Sequence, residues 1–172
     1  QVRAFEKEIE KNEDTYWLIF ELIWRDYFRY VAMRYGNRIF HKRGIKEEAP
    51  KWRTDRRVFE AWCEGRTKCD FVNANMRELA ATGFMSNRGR QNVASYLVHD
   101  LGVDWRLGAS WFEHLLLDHD PASNYGNWIY VAGVGNDPRP SRKFNTTGQA
   151  ERYDADGKYR RHWSHATLEL DL

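Results

Sequence analysis

The stretch NEDTYWLIFELIWRDYFRYVAMRY at Asn12–Tyr35 decides the fold class, because its apolar residues recur at steps of three and four. That period matches an α-helix and not a strand, in which every second residue faces the same side. Asp14 or Thr15 has the short polar side chain that caps a helix start, and Gly36 supplies an end. The pattern predicts one long amphipathic helix, whose apolar face carries Trp17, Phe20, Ile23, Trp24, Tyr27, Phe28 and Val31.

Further helices are predicted on the C-terminal side, where capping residues, glycines and prolines separate the periodic segments. After Gly133, glycines, prolines and scattered basic residues indicate irregular backbone. The sequence therefore predicts an all-α fold of about six helices up to about residue 132, with an irregular basic section over 133–172. The additional helices are expected at Asp55–Cys63, Asp70–Ala81, Ser86 or Asn87 to Leu101, Leu107–Leu117, and from the cap Asp120 with Pro121 first to about Val131.

Composition is that of one domain of ordinary size. The chain has 172 residues, of which 42% are hydrophobic and 15% aromatic, and large rings allow a packed core despite the modest apolar share. The 27 basic and 25 acidic residues give a net charge of +2, which does not by itself require a polyanionic partner. Two cysteines are too few for a disulfide framework. The apolar run Tyr16–Ile23, interrupted by Glu21, is too short for a membrane span.

No signal peptide is visible in the sequence. The chain begins at Gln1 instead of a methionine, and its first residues already have a helical pattern. A processed or truncated product is therefore expected, and an earlier targeting peptide stays open.

Polar residues within the apolar helices have two interpretations each when only their pattern is considered. Glu21 and Arg25 form either a surface ion pair four residues apart or part of a site. Asn87, Arg88 and Arg90 open a helix, where they either lie in solvent or bind an anion.

Two weaker motifs have simpler explanations. Asp118, His119 and Asp120, together with His114, contain metal-ligand residue types, but a helix end followed by a cap explains them better. The pair Gly133-x-Gly135 lacks the preceding strand that a dinucleotide-binding loop needs. No metal site and no nucleotide loop is therefore predicted.

Four segments, in this order, resemble the cryptochrome/photolyase family: ELIWRDYFRY (Glu21–Tyr30), FMSNRGRQNVASYLVHDLGVDWRLG (Phe84–Gly108), DHDPASNYGNWIYVAGVGNDPR (Asp118–Arg139) and KFNTTGQAERYD (Lys143–Asp154). SNRGRQNVAS, GVGNDPR and a tyrosine two residues after Trp128 are similar to its DASH branch in particular. The resemblance covers about residues 12–165 and is ordered over many segments. It implies the C-terminal part of a multi-helical FAD-binding domain, truncated on its N-terminal side.

The resemblance implies FAD as the cofactor and assigns six residues to its cavity. Asn124 matches the asparagine that faces the flavin N5 atom, where an amide stabilises a neutral or reduced state by hydrogen bonding. Arg90 and Asp118 match a buried ion pair against the flavin ring, and Asp120 matches a residue at the N3/O4 edge and the ribose. The cavity residues are Arg25, Asn87, Arg90, Asp118, Asp120 and Asn124.

A nucleic acid with a pyrimidine dimer is the substrate that the resemblance implies. Glu21 matches an active-site glutamate that hydrogen-bonds or protonates a thymine carbonyl, and burial of its carboxyl would suit that role. Trp24 matches a tryptophan that stacks on the dimer, and Tyr130 stands where duplex-specific photolyases have tryptophan. A single strand, DNA or RNA, is the expected partner because extruding a base costs less when no pair is broken. Positive charge for phosphate is expected from Arg88, Arg139, Arg142 and Lys143.

Three tryptophans match the relay that carries electrons from the protein surface to the photoexcited flavin. They are Trp128, Trp105 and Trp52. Indole is oxidised more readily than aliphatic side chains, and several short hops outrun one long tunnelling step. Pattern alone favours core packing for each of them.

Two parts of the family's protein have no counterpart in the sequence: the N-terminal α/β antenna domain and the Ser/Thr-rich segment that grips the FAD diphosphate. FAD is therefore expected to bind weakly, or to be lost, if the chain acts alone. The main hypothesis is a blue-light-responsive flavoprotein that repairs cyclobutane pyrimidine dimers in single-stranded DNA. The alternatives are a non-catalytic half-domain in signalling or in a larger complex, and a flavin-free nucleic-acid-binding module. Chloroplast or mitochondrion is the expected compartment, with cytoplasm or nucleus as alternatives.

Overall fold

Helices build the part of the chain that the structure describes, which comprises residues 1–48, 50–137 and 143–164 of a computed structural model. Within these ranges an isolated parallel bridge between Arg53 and Val103 is the one strand-like contact. No helix of this part is long and apolar enough to cross a membrane. The all-α prediction is confirmed. The helices are α1 (Val2–Glu8), α2 (Glu13–Tyr35), α3 (Arg56–Cys63), α4 (Asp70–Thr82), α5 (Asn87–Ser95), α6 (Trp105–Leu115), α7 (Pro121–Val131), α8 (Thr146–Tyr153) and α9 (Lys158–Ser164).

The start of α2 is held by Asn12 and not by the predicted Asp14 or Thr15. The Asn12 side chain accepts from the Thr15 backbone N–H at 3.0 Å, and Thr15 Oγ1 accepts from the Asn12 N–H at 3.3 Å. This reciprocal pair satisfies two backbone donors that the helix leaves unpaired. Asp14 lies in the first turn, where a negative charge stabilises the helix dipole. Gly36, at φ 55°, follows the last residue as predicted.

The helix predicted to run to Leu101 is α-helical only as far as Ser95. α5 ends there, and a π-helical turn follows at Tyr96–Asp100. Two contacts with the following segment hold this wider turn. Lys143 Nζ lies 2.6 Å from Asp100 Oδ1, and the Phe144 N–H donates to Ser95 Oγ at 2.8 Å. Such turns are common at functional sites, and this one attaches residues 143–144 to the C-terminal end of α5.

Caps also shift the start of α6. The sequence predicts Leu107–Leu117, whereas the helix begins at Trp105 because Asp104 Oδ1 accepts from the Arg106 N–H at 3.0 Å. A buried carboxylate at this position also pairs with the Arg106 guanidinium, 2.8 Å away.

The section after residue 133, predicted to be irregular throughout, contains α8 and α9. α9 packs against α4, where Arg77 Nη1 donates to the last carbonyls of α9, at 3.1 Å from Trp163 and 2.8 Å from Ser164. Tyr159 Oη donates to Glu78 Oε2 at 2.6 Å. These helices are only eight and seven residues long and mostly polar, so their order depends on tertiary contacts and leaves no period in the sequence.

A buried carboxylate joins α8 to α9. Asp154 accepts from the backbone N–H groups of Tyr159 and Arg160 and from Arg160 Nε, at 2.8, 3.2 and 2.7 Å. Burial alone would raise the pKa of Asp154, but these hydrogen bonds hold it below its usual value. A charged Asp154 therefore begins α9 in the way that an acidic helix cap does.

Two glycines allow α7 to pack tightly between α2 and α6. A Cβ added to Gly126 would lie 2.4 Å from Cδ1 of Phe28 on α2. A Cβ added to Gly108 on α6 would lie 2.3 Å from Cη2 of Trp128 on α7. Neither distance is possible for a real side chain, so the absence of these carbons sets the position of α7.

Much of the apolar surface of α2 is exposed, including Trp17 and Ile23 of the predicted apolar face. Phe28 and Val31 are buried, but Tyr30 and Met33 are 69% and 79% exposed. Contiguous exposed apolar surface of this kind usually marks an interface. The α1–α2 face is defined by Phe5, Ile9, Tyr16, Trp17, Leu18, Leu22, Ile23, Tyr30 and Met33.

Candidate functional site

Two clefts adjoin one another beside α7. The first lies between α5, α6 and α7 and has an empty volume of about 610 Å³, part of it open to solvent. The second lies between α2, α5 and α7, with about 1610 Å³. The clefts share a wall, so a molecule bound in one would lie beside a molecule bound in the other. The shared wall is formed by Asn87, Gln91, Ser123, Asn127 and Val131.

Five of the six residues predicted for the flavin cavity line the first cleft: Asn87, Arg90, Asp118, Asp120 and Asn124. Arg25 does not. It lies on α2 in the second cleft, is exposed, and pairs with Asp26 at 3.0 Å and not with Glu21. The ion pair considered for Glu21 and Arg25 is therefore not formed.

Arg90 and Asp118 form the predicted ion pair with a geometry that fixes both groups. Arg90 Nη2 lies 3.0 Å from each oxygen of Asp118, and Arg90 Nε donates to the Met85 carbonyl at 2.8 Å. The pair is not buried as predicted, since the side chains are 27% and 63% exposed. It lies at the mouth of the first cleft, where its net contribution to stability is small.

Asn124 is oriented by a single hydrogen bond from α7 to α6. Its side-chain amide donates to the Ala109 carbonyl at 3.0 Å. Because that carbonyl only accepts, the group facing it must be the NH2, which settles the amide orientation. Oδ1 remains as the part of Asn124 that can accept a hydrogen bond from a ligand in the first cleft.

Asp120 lines the first cleft and is also the N-cap of α7. Its Oδ1 accepts from the Ser123 N–H at 2.8 Å, and Pro121 occupies the first helical position. This hydrogen bond, aided by the charge of Arg29, holds the pKa of Asp120 below its usual value despite partial burial.

Asp120→Ala is expected to lower the free energy of unfolding at neutral pH by about 1 kcal/mol, the usual cost of losing a helix cap. Because the pKa of Asp120 is depressed on folding, this stabilisation is complete above the unfolded-state value and is lost as the pH falls through the folded one. Urea denaturation of both proteins at neutral and acidic pH measures the difference. Asp120→Asn, which keeps the cap, is the control, and a difference independent of pH would contradict the assignment.

His119 was considered in the sequence only as a metal-ligand candidate. Its Nδ1 and Nε2 are buried, line the first cleft and have no hydrogen-bond partner among the described residues. Glu113 Oε1 lies 3.9 Å from Nε2, too far for a hydrogen bond. Buried polar atoms normally have partners, so His119 is an exception among the residues that line the first cleft.

The second cleft joins the residues predicted to surround the substrate. The Trp24 and Tyr130 rings lie edge to face, with centroids 5.6 Å apart, and Phe28 lies 5.6 Å from Trp24. Glu21 lines the same cleft but is exposed, so the burial expected for its carboxyl is not seen. No hydrogen bond or ion pair to Glu21 forms within residues 1–48, 50–137 and 143–164.

The basic residues predicted to bind phosphate have different surroundings. Arg88 is exposed at the second cleft, with Nη1 donating to Gln91 Oε1 at 2.9 Å and the guanidinium 5.5 Å from the Tyr153 ring centroid. Lys143 is paired with Asp100, which offsets its charge. Arg139 and Arg142 lie outside the described residues. Phe144, which the sequence did not single out, also lines the second cleft.

Of the three predicted relay tryptophans, two are buried and the third is half-buried. Trp128 lines the first cleft and is buried, Trp105 is fully buried, and Trp52 is half-buried. The backbone of Arg53 hydrogen-bonds to Gly102 and Asp104, which places the residues after Trp52 beside those before Trp105. Sequence reasoning missed Trp62, whose ring centroid lies 6.4 Å from that of Trp128.

Residues 17–170 match the family model described as the FAD binding domain of DNA photolyase. The chain therefore belongs to the photolyase/cryptochrome family of FAD-binding domains. The predicted resemblance is confirmed, including its DASH branch, since the chain is 62% identical to Cryptochrome DASH of Danio rerio over 95% of its own length.

Solved structures agree with this assignment. A Synechocystis cryptochrome superimposes with a TM-score of 0.89 at 55% identity, covering 94% of this chain and 34% of that one. An archaeal photolyase from Sulfolobus tokodaii, solved with two FAD molecules, gives 0.80 at 36% identity and covers 96% of this chain and 38% of that one. The chain spans 31% of the Danio relative. Several plant relatives are named chloroplastic/mitochondrial.

FAD is the cofactor of this family, and the first cleft suits its polar ring edge. The cleft presents the amide oxygen of Asn124 and the fixed guanidinium of Arg90. Its remaining walls are apolar, with Phe112, Leu116 and Trp128. A mostly apolar pocket with a few polar groups is typical of cofactor sites.

Proposed function

We propose that the chain is the flavin-facing part of a DASH-type photolyase, which binds single-stranded DNA and repairs cyclobutane pyrimidine dimers by photoinduced electron transfer. The observation that carries this proposal is the shared wall between the clefts. Predicted flavin residues line one side of it, and the predicted substrate residues Glu21, Trp24 and Tyr130 line the other. An electron donor and its acceptor would thus lie in neighbouring clefts.

When bound, FAD supplies light-driven one-electron chemistry. Asn124 Oδ1 would accept a hydrogen bond from the ring, and Arg90, fixed by Asp118 and the Met85 carbonyl, would hold a positive charge beside it. That charge favours added negative charge in the first cleft. His119 would satisfy its ring nitrogens on a polar edge of the cofactor.

In the second cleft, Trp24 and Tyr130 would hold the extruded pyrimidines by stacking, which tolerates any base sequence. Glu21 would hydrogen-bond or protonate the thymine carbonyl that gains charge, once the substrate covers this exposed carboxyl. Arg88 lies at the same opening, where it can contact a phosphate. Arg139, Arg142 and Lys143 are proposed to add to this attraction, and RNA is a second possible strand.

A non-catalytic role in light signalling, or as a subunit of a larger complex, is the second candidate. The exposure of Glu21 and Asp118 and the extent of the α1–α2 face favour it for the chain by itself. The names of plant relatives support a chloroplast or mitochondrial location.

The absorption spectrum of the purified protein, with and without added FAD, tests the proposal. A flavin spectrum that bleaches under blue light with reductant is expected, and Asn124→Ala should weaken FAD retention. Lys51→Ala, an exposed change away from both clefts, is the matched control. A colourless protein that cannot be reconstituted, alone or joined to the missing part of a relative, would exclude photolyase activity.

Glu21→Gln is expected to reduce repair of a dimer-bearing single strand on the order of 10²-fold, the effect of losing a positioned proton donor, while binding changes little. Repair yield per flash and filter binding measure the two quantities. Glu13→Gln, in the first turn of the same helix, controls for loss of a negative charge on α2. Equal losses of binding and repair would show that Glu21 acts in affinity alone.

A further inference from the structure

Tyr125 lies on α7 on the side that faces away from both clefts. It is absent from their linings, and its half-buried ring contacts Phe40 at 4.6 Å and Trp105 at 6.2 Å between centroids, edge to face in each case. Its hydroxyl donates to Glu113 Oε2 at 2.7 Å. A phenol in contact with a fully buried indole therefore has a carboxylate in place to receive its proton.

The surroundings keep Tyr125 protonated at rest. Burial, together with the hydrogen bond to Glu113 and its negative charge, raises the pKa of Tyr125 to about 12. Glu113 itself is 49% exposed, so a proton that reaches it can pass to water. A phenol is much easier to oxidise when its proton leaves with the electron, because the protonated phenol radical is a strong acid.

We propose that Tyr125 reduces oxidised Trp105 by proton-coupled electron transfer, with Glu113 as the proton acceptor. The inference rests on the relay of the proposed function, in which a photoexcited flavin is the one-electron oxidant. One electron passes from the Tyr125 ring to the Trp105 radical cation. The Tyr125 O–H bond breaks and an O–H bond forms on Glu113 Oε2. The products are neutral Trp105, a neutral tyrosyl radical and a protonated Glu113.

This step would lengthen the life of the separated charges. A cation on Trp105, in the low-dielectric core, attracts the electron that left it. Moving the positive charge to Glu113 as a proton, at an exposed site, removes most of that attraction. Tyr125 is thus the donor of a side branch of the tryptophan relay. This branch starts at Trp105 and ends at the protein surface beside α6.

The first test uses the FAD-free protein. Azide radicals made by pulse radiolysis oxidise tryptophans, and optical detection follows conversion of the indolyl signal to tyrosyl. A conversion phase that is slower in D2O is expected. The part of it that passes through Trp105 should be lost in both Tyr125→Phe and Trp105→Phe, whereas pairs such as Trp17 and Tyr16, whose ring centroids lie 5.5 Å apart, should still convert. Tyr125→Phe keeps the ring contacts and therefore the fold. Tyr30→Phe, at an exposed tyrosine, should retain the phase. Conversion unchanged in Tyr125→Phe overturns the proposal.

The second test uses the FAD-loaded protein under blue light, with electron paramagnetic resonance to identify the radical. A tyrosyl signal is expected, absent in Tyr125→Phe and formed on the order of 10²-fold more slowly in Glu113→Gln, as for removal of a positioned base. Normal photoreduction without this signal overturns the Tyr125 step alone. Conversion in the FAD-free protein without any photoreduction supports the step and overturns the relay.

Discussion

Replacing Trp62 with alanine is expected to lower the free energy of unfolding by about 3–5 kcal/mol, the range for a large aromatic removed from a core. The side chain is fully buried, and its ring lies 6.0 Å from Phe59 and 6.3 Å from Phe112, stacked in both cases. Its Nε1 donates to the Val93 carbonyl at 3.1 Å, so the substitution also removes a buried hydrogen bond. Urea denaturation monitored by circular dichroism measures the change.

Trp17→Ala is the matched control for this experiment. Trp17 is 52% exposed on the α1–α2 face, so the same substitution should change the free energy of unfolding by no more than about 0.5 kcal/mol. Equal losses for the two variants would mean that Trp62 is not at the centre of the core.

Trp128→Phe is expected to abolish fast photoreduction of the flavin while FAD remains bound. Trp128 lines the first cleft and is the first proposed donor, and phenylalanine is far harder to oxidise than indole. Phenylalanine keeps an aromatic ring against Phe112, whose centroid lies 5.2 Å from that of Trp128. Flavin absorbance after single blue flashes measures the rate.

A double variant tests whether the tryptophans act in series. If they do, Trp128→Phe combined with Trp105→Phe should be no slower than Trp128→Phe alone, since the first change already interrupts the relay. Trp62→Phe is the control, because Trp62 contacts Trp128 but lies off the proposed path. If Trp62→Phe abolished photoreduction instead, Trp62 and not Trp105 would be the residue that passes an electron to Trp128.

Local signals in the sequence predicted most helices well. Gly36 and Gly83 end α2 and α4, and Asp120 with Pro121 begins α7, because these residues act through their own backbone geometry. The cap Asn12 was missed because Asp14 and Thr15 nearby have the same chemistry. The short polar helices α8 and α9 were missed because Arg77 and Glu78 on α4 hold the second of them from a distance.

The family resemblance predicted which residues line the site, because it matches them in sequence order. It did not predict how their side chains are oriented. Asn124 and Arg90 lie in one cleft as expected, but Arg25 turns to Asp26 and Glu21 stays exposed. His119 and Tyr125 gave no signal, because an unpaired ring nitrogen or a neighbouring carboxylate exists only after α6 and α7 have packed.

The α1–α2 face has a practical consequence for anyone measuring DNA affinity with this chain. Rising salt weakens phosphate contacts, but sulfate and phosphate salts strengthen apolar association. A chain with Ile9, Tyr30 and Met33 in solvent would begin to form reversible aggregates under the conditions that release the nucleic acid. The two effects would then lower the apparent affinity together, and the salt slope would overstate the number of phosphates bound. Titrations in chloride at several protein concentrations separate them.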